Sequence, residues 1–179
     1  MDADEFAEKA VGLHERVARA VMATCGDRAL SEECAAEALL RSWERVEAGD
    51  ELRSLEGWTM TVAINVCRSR VRRMGAERRA LERFHATESP AATAGSHDDT
   101  GDRRPAEHVM AAVLSLPERQ REVVALHYLE DMSTAEIAEI VGSTPNAVRN
   151  ALHHARTTLA CVLAPEAGTT DEAEQEVQR

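Results

Sequence analysis

The chain has 179 residues, room for one large domain or two small ones, and its net charge of −11 argues against a general nucleic-acid coat protein. Hydrophobic residues make up 44% and charged residues 30%, an ordinary folded composition, but only 3% are aromatic; such an Ala-rich, aromatic-poor chain favours helices over sheets. No apolar run reaches the roughly 18 residues of a membrane span, and the acidic start MDADEFAEKA lacks the apolar core of a secretory signal, so a cytoplasmic protein without membrane insertion is expected.

Segment 4–24 reads as an amphipathic helix, with Phe6, Ala10, Leu13, Val17, Ala20 and Val21 near helical spacing, and Gly26-Asp27 breaks it. A second helix is expected from about Ser31 to Val46, with Ser31 as N-cap, Glu32 and Glu33 in its first turn, and Leu39, Leu40, Trp43 and Val46 as its apolar stripe. Residues 47–56, EAGDELRSLE, form a polar loop. A third helix begins near Gly57-Trp58. Its first half (Met60, Val62, Ala63, Ile64, Val66) is apolar nearly all round and marks a central core helix. Asn65 stands alone among those residues, as a satisfied core amide or a site residue. The second half is an exposed cationic rod: residues 68–83 carry seven arginines against Glu77 and Glu82, whereas residues 1–60 carry seven basic and fourteen acidic side chains. A basic stripe on an acidic protein suggests a directed polyanion contact; a solvated helix face would show the same charges.

Residues 86–104, ATESPAATAGSHDDTGDRR, have no apolar period and read as a flexible linker. Segment 105–115 follows as a helix presenting Val109, Ala112 and Val113, with Leu116 just beyond. Pro117 opens the next helix, to about Leu129. Ser133 and Glu136 form a capping box for a short helix that ends at Val141 with Gly142 behind it. Thr144 caps the last helix, Pro145 is its first residue, and Val148, Leu152, Ala155 and Leu159 form its buried stripe. Segment 133–159 is thus helix, three-residue turn, helix, the geometry of a DNA-binding helix-turn-helix; an ordinary helical hairpin has the same outline. The outer face of the last helix carries Asn146, Arg149, Asn150, His153 and Arg156, and Asn and Arg suit adenine, guanine and phosphate contacts. The four cysteines, Cys25, Cys34, Cys67 and Cys161, are dispersed, with no metal-ligand spacing; free thiols and no metal or cofactor are expected.

Residues 116–159, LPERQREVVALHYLEDMSTAEIAEIVGSTPNAVRNALHHARTTL, resemble region four of the extracytoplasmic-function sigma factors of bacterial RNA polymerase. The N-terminal half is similar to their region two, in GDRALSEECAAEALLRSW (26–43) and WTMTVAIN (58–65). Two motif sets in the right order cover about residues 6–160. The chain departs from the usual pattern at Ala36, where Gln is common, and at Asn150-Ala151, which leaves the recognition helix less cationic.

The resemblance implies an all-α, non-enzymatic initiation factor of two small helical domains: region two over 1–85, a linker over 86–104, region four over 105–163, and an acidic disordered tail over 164–179. It implies docking on the clamp helices of the largest subunit of core RNA polymerase through Glu33, Glu37, Leu40 and Arg41. It implies −10 promoter contacts by Asn65, Arg68, Arg70, Arg72 and Arg73, with a flipped base taken up between the 47–56 loop and Asn65. It implies −35 contacts by Thr144, Asn146, Arg149, Asn150, His153 and Arg156, and control by an anti-sigma factor. The two domains are expected to share no large core. The competing reading is a stand-alone helix-turn-helix regulator with an N-terminal dimerisation or ligand-binding domain. A helical enzyme built on His153 and His154 is disfavoured, because adjacent helical side chains point about 100° apart.

Overall fold

The computed structural model describes residues 2–86 and 105–164. The expected linker, from residue 87 on, and the tail beyond residue 164 lie outside the described residues. Seven helices and no strand are found among the described residues: α1 (Ala3–Cys25), α2 (Arg28–Glu47), α3 (Leu55–Ala86), α4 (Pro105–Ser115), α5 (Glu118–Tyr128), α6 (Thr134–Val141) and α7 (Pro145–Leu163).

Local chemistry sets the helix ends. The Asp2 carboxylate accepts from Glu5 N at 2.8 Å to start α1, and Gly26 ends it at φ 73°, a left-handed conformation that glycine adopts without Cβ strain. The cap of α2 is Asp27, whose side chain accepts from Leu30 N at 3.0 Å. This corrects the expected cap: Ser31 lies inside α2, buried, with its hydroxyl donating to Arg28 O. The Gly-Asp pair is therefore a stop and a start in consecutive residues, which sets the tight α1–α2 corner. Ser54 Oγ accepts from Gly57 N at 3.0 Å at the start of α3. Pro117 stands at the cap of α5, one residue outside the helix.

The N-terminal bundle is packed through small residues. Cys34, Ala35, Ala38 and Ser42 of α2 face Ala63 and Met60 of α3 and Val17, Ala20 and Val21 of α1 in one core, all fully or nearly fully buried. Ser42 and Thr59 share a 2.7 Å hydrogen bond inside it, and their hydroxyls also reach Ala38 O and Leu55 O. The apolar stripe expected on α2 is thus shifted: Leu39, Trp43 and Val46 flank the core, and Leu40 is 58% exposed. Small side chains on α2 let the helix backbones approach, so the core is close-packed around Met60 and Ile64 of α3. Val109, expected to be buried, is 48% exposed on α4.

In the C-terminal half, Ile137 and Ile140 of α6 pack in the core with Val148, Leu152 and Ala155 of α7, as the apolar spacing requires. The capping box is present in both directions: Ser133 N donates to Glu136 Oε2 at 2.8 Å and Glu136 N to Ser133 Oγ at 3.3 Å. Those bonds, with the Ser133 hydroxyl first, hold the Glu136 carboxyl below the usual carboxylate range. Gly142 closes α6 at φ 62°, and Thr144 Oγ1 accepts from Ala147 N at 3.2 Å to open α7.

The two halves are packed on one another, which corrects the expectation of little shared packing. α1 lies against α4 and α5, and α3 lies against α6. Leu114 of α4 covers Gly26, where an added Cβ would stand 2.9 Å from its methyl.

Filling the α2–α3 contact should be costly. We expect Ala38→Leu, at a position with 0% exposure, to destabilise the protein by about 1–3 kcal/mol through overpacking. Urea unfolding followed by circular dichroism measures it, and Ala36→Leu, on the exposed side of α2, serves as the control.

Candidate nucleic-acid interface

The expected −35 residues fall together. Asn146, Arg149, Asn150, His153 and Arg156 are all exposed along one side of α7, opposite the buried Val148, Leu152 and Ala155, and Thr144 caps its start. Arg149 donates to the Asn146 amide oxygen one turn back, so these two side chains are already held relative to one another. Arg156 is anchored from outside the helix. Its Nε donates to Tyr128 Oη at 2.7 Å, its guanidinium lies 5.7 Å from the Tyr128 ring centroid, and its Nη2 stands 3.4 Å from His127 Nε2. His127 Nδ1 lies 3.0 Å from Met132 O; the tautomer with its proton on Nδ1 satisfies both contacts. Sequence reasoning missed Tyr128 and His127. The available signal was the single tyrosine of the chain, sited just after the apolar run Val123–Leu126 at the end of α5.

The expected −10 residues divide. Asn65 is exposed rather than buried, and accepts from Arg68 Nη1 at 3.3 Å. It borders a groove between α2 and α3 with Glu37, Arg41, Val62 and Arg70. The 47–56 loop lines different clefts, one of them with Arg16, Arg45, Trp58 and α6 residues. The loop and Asn65 thus line different clefts. Arg45 is instead fixed over the Trp58 ring at 5.3 Å and bonded to Asp50 at 2.7 Å.

The arginine rod is also less free than its sequence suggests. Arg70 donates to Glu33 and Glu37, and Arg41 donates to Glu37. Residues expected to serve DNA and polymerase separately therefore form one surface ion-pair network. Arg73 pairs with Glu77 at 3.0 Å and Arg78 with Glu82 at 3.5 Å, each one helical turn apart. Arg72 has no carboxylate partner among the described residues, its Nε meeting only Arg68 O at 3.4 Å.

Arg68 is directed away from solvent and across the interface between the halves. It grips Glu122 of α5 with three contacts: Nε to Oε1 at 3.0 Å, Nη2 to Oε1 at 2.8 Å and Nη2 to Oε2 at 2.9 Å. Arg119 adds 3.2 Å to the same carboxylate, whose residue is only 2% exposed. A second clasp lies at Glu130, whose fully buried side chain meets Arg16 at 2.8 Å and Arg19 at 3.5 Å. Two buried carboxylates thus each take two arginines, and three of the four guanidinium groups come from the other half of the chain.

Known proteins resemble this chain in sequence and fold. The family patterns described as Sigma-70 region 2 and Sigma-70, region 4 match residues 11–77 and 107–159. The ECF RNA polymerase sigma factor SigL of Mycobacterium tuberculosis is 31% identical over 157 residues, 81% of this chain and 80% of that relative. SigW of Bacillus subtilis, also an ECF sigma factor, is 23% identical over 171 residues, 88% of each chain. The probable sigma factor RfaY of Xanthomonas campestris pv. campestris is 29% identical over 143 residues, 77% of this chain, and the chain spans only 35% of its length. In fold, the chain matches the sigma factor RpoE of Bartonella quintana, solved with the anti-sigma factor NepR, with a TM-score of 0.72 at 16% identity, covering 92% of this chain and 99% of that one. CnrH, solved with the cytosolic domain of CnrY, gives 0.62 at 20% identity, covering 90% and 89%.

A helical chain with a region-2 bundle ahead of a region-4 helix-turn-helix has the architecture of a sigma factor. This chain belongs to the extracytoplasmic-function sigma factors, alternative initiation subunits of bacterial RNA polymerase. Among the described residues no helix is long and apolar enough to cross a membrane.

Truncating Glu122 leaves Arg68, 19% exposed in its side chain, without its carboxylate. We expect Glu122→Ala to destabilise the compact form by about 3–5 kcal/mol, and paired Arg68→Met with Glu122→Leu to recover most of that loss. Denaturant unfolding of the wild type and the two variants measures both effects.

Proposed function

We propose that this chain binds core RNA polymerase in the cytoplasm and directs initiation by reading the −10 element with its region 2 and the −35 element with its region 4. It has no chemistry of its own in this reading; the polymerase supplies it. The division runs 1–85 for region 2 and 105–163 for region 4, with 86–104 between them and an acidic tail from 164. The observation that carries it is the face of α7: five polar residues exposed in line, two of them arginines already oriented by Asn146 and Tyr128. A recognition helix inserts such a face into the major groove. Asn150 lies where a bidentate adenine contact is made, and Arg156, held to the end of α5, is placed for phosphate. The start of α7, with Thr144 at its cap and Pro145 first, offers free N–H groups and a positive dipole end to a second phosphate.

For region 2, Arg72 is the most available cation for DNA, while Arg68 and Arg70 need partner exchange before they meet phosphate. The polymerase contact centres on Leu40 beside Glu33, Glu37 and Arg41. An exposed leucine ringed by charge is an anchor for a partner helix rather than a core residue. RpoE of Bartonella quintana, a sigma factor of this fold, is solved with the anti-sigma factor NepR, and a regulator that covers both DNA faces fits this chain as well. A stand-alone regulator is disfavoured because the first 85 residues match a region-2 pattern over 11–77.

Reading both elements at once requires the clasp to open. The elements lie ~25 base pairs apart, ~85 Å of B-DNA at about 3.4 Å per step. α3, the longest helix at 32 residues, spans only ~48 Å. A body in which Glu122 touches Arg68 cannot hold its two DNA faces at that separation.

The functional test is initiation by core polymerase with and without the protein on a panel of genomic promoters; no stimulation at any promoter would refute the reading. Leu40→Asp should weaken binding to core polymerase severalfold without changing the unfolding curve, because Leu40 makes no core contact. Asn150→Ala should cost roughly 1–3 kcal/mol of promoter discrimination and relax preference at one −35 base pair. Transcription of a −35 substitution panel with both proteins measures it, and identical preferences would remove Asn150 from base reading.

A further inference from the structure

The outer half of α3 is open to solvent. The first half of the helix lies in the core, but from Arg72 to Phe84 every residue is exposed except half-buried Gly75. The helix runs on to Ala86, past the end of the region-2 pattern at residue 77. Its charges fall on two faces. Arg73 pairs with Glu77 and Arg78 with Glu82, which engages both carboxylates of this stretch. Arg72, Arg79 and Arg83 stand seven and four residues apart and so share another face. Arg72 and Arg79 have no carboxylate partner among the described residues; Arg72 Nε meets Arg68 O, and Arg83 Nε donates to Arg79 O at 3.2 Å. Gly75 and Ala76 lie between the first two arginines. The Arg79 guanidinium folds back over Gly75, where an added Cβ would stand 3.4 Å from its Nη1. The face is cationic, with a low floor of small residues between its arginines.

Arginines on the other surfaces assigned to DNA are engaged: Arg70 by Glu33 and Glu37, Arg149 by Asn146, and Arg156 by Tyr128. The chain carries a matching counter-charge in residues 165–179, PEAGTTDEAEQEVQR, where Glu166, Asp171, Glu172, Glu174 and Glu176 stand against Arg179. This segment follows directly on α7. The brace of Arg156 on Tyr128 and the grip of Arg68 on Glu122 tie α7, α5 and α3 into one body. A segment of that length reaches up to ~50 Å when extended.

We propose that residues 165–179 dock on the Arg72–Arg79–Arg83 face of α3 and shield it from DNA until promoter phosphates take their place. Laid out as an extended segment, Glu172, Glu174 and Glu176 would point to one side at ~6.6 Å intervals. The rise from Arg79 to Arg83 is close to that, at ~6 Å. Single exposed ion pairs are weak, but a tethered segment meets its face at an effective concentration in the millimolar range, and its pairs act together. Weak pairs also make the docking reversible. A promoter held by core polymerase displaces the segment, because contacts elsewhere add to those with phosphate; a random duplex offers phosphate alone. The shielding rests on the promoter-reading function proposed above, and the docking does not.

The test compares the full-length protein with a variant carrying Glu166→Gln, Asp171→Asn, Glu172→Gln, Glu174→Gln and Glu176→Gln, which alters no residue of the seven helices. Hydrogen–deuterium exchange over 72–84 is followed at about 0.05 M and about 0.5 M salt, without polymerase or promoter. We expect slower exchange in the wild type at low salt and no difference at high salt. Adding the amide changes to an Arg72→Gln, Arg79→Gln protein should alter exchange no further. In a second arm at low salt, the amide variant should bind a random-sequence duplex severalfold more tightly than the wild type. Equal exchange over 72–84 at low salt, an additive effect of the two sets of changes, or protection over 145–163 instead would each overturn the docking. Equal affinity for the duplex, or binding by neither protein, would overturn the shielding. An exchange difference that stands while core polymerase fails to initiate would support the docking and refute the promoter reading alone.

Discussion

The structure turns on two glutamates of the C-terminal half that are buried with their charge. Glu122 and Glu130 end up 2% and 8% exposed, a position that a carboxylate holds only with strong partners. Arg68 and Arg119 serve the first, and Arg16 and Arg19 the second. Such pairs contribute less net stability than their geometry suggests, because both charges lose water. Their effect is on register. A slide of α5 by one turn would part Glu122 from Arg68, and Glu130, just beyond α5, from Arg16 and Arg19. The clasps therefore fix how the halves meet, while Leu114 on Gly26 supplies the apolar closure.

This use of arginine alters how the charge of the chain is read. A run of seven arginines suggests a cationic rod. Much of it is neutralised within the protein: Arg70 by Glu33 and Glu37, Arg73 by Glu77, Arg78 by Glu82, and Arg68 by Glu122. The pairs on the exposed helix face are weak and exchange readily with phosphate. The Arg68 pair is shielded and exchanges only if the halves part. Availability for DNA is therefore graded along α3, from Arg72 outward on the exposed side to Arg68 locked inside, and that gradation depends on long-range contacts.

The sequence was most legible where structure is local. The Ser133–Glu136 capping box, Gly142 behind α6, and Thr144-Pro145 at α7 are all formed, because each rests on residues within one turn of its partner. The helix-turn-helix follows from them and from the apolar spacing. Legibility failed where two segments compete or meet from afar. Ser31 is a good cap residue, but Asp27 sits directly after Gly26 and captures the helix start first. The α2 stripe was misplaced because buried alanine, serine and cysteine leave a weaker apolar signal than leucine. Asn65 looked buried by its neighbours, yet its position on α3 turns it to the groove beside Glu37. The Arg68–Glu122 and Arg16–Glu130 contacts join residues more than fifty positions apart, and no spacing rule announces them.

The recognition helix shows how a weakly cationic face can still be ordered for DNA. Asn150 and Ala151 stand where further positive charge is common in the family, so α7 contributes only two arginines to its outer face. Each is held by a neighbour: Arg149 by Asn146 within the helix, and Arg156 by Tyr128 and His127 from α5. A free arginine loses much of its rotamer freedom when it meets a phosphate. An arginine already fixed by a ring and a hydroxyl has lost it in advance, so the contact is less costly to form. The Tyr128 hydroxyl accepts from Arg156 Nε, which leaves the guanidinium edge bearing the terminal nitrogens turned toward other partners. His127 takes a long contact from one of them, and Met132 O fixes the ring of His127 in turn. The end of α5 and the α5–α6 turn therefore act as a brace for the C-terminal part of α7. Preorganisation of two arginines takes the place of a larger number of mobile ones.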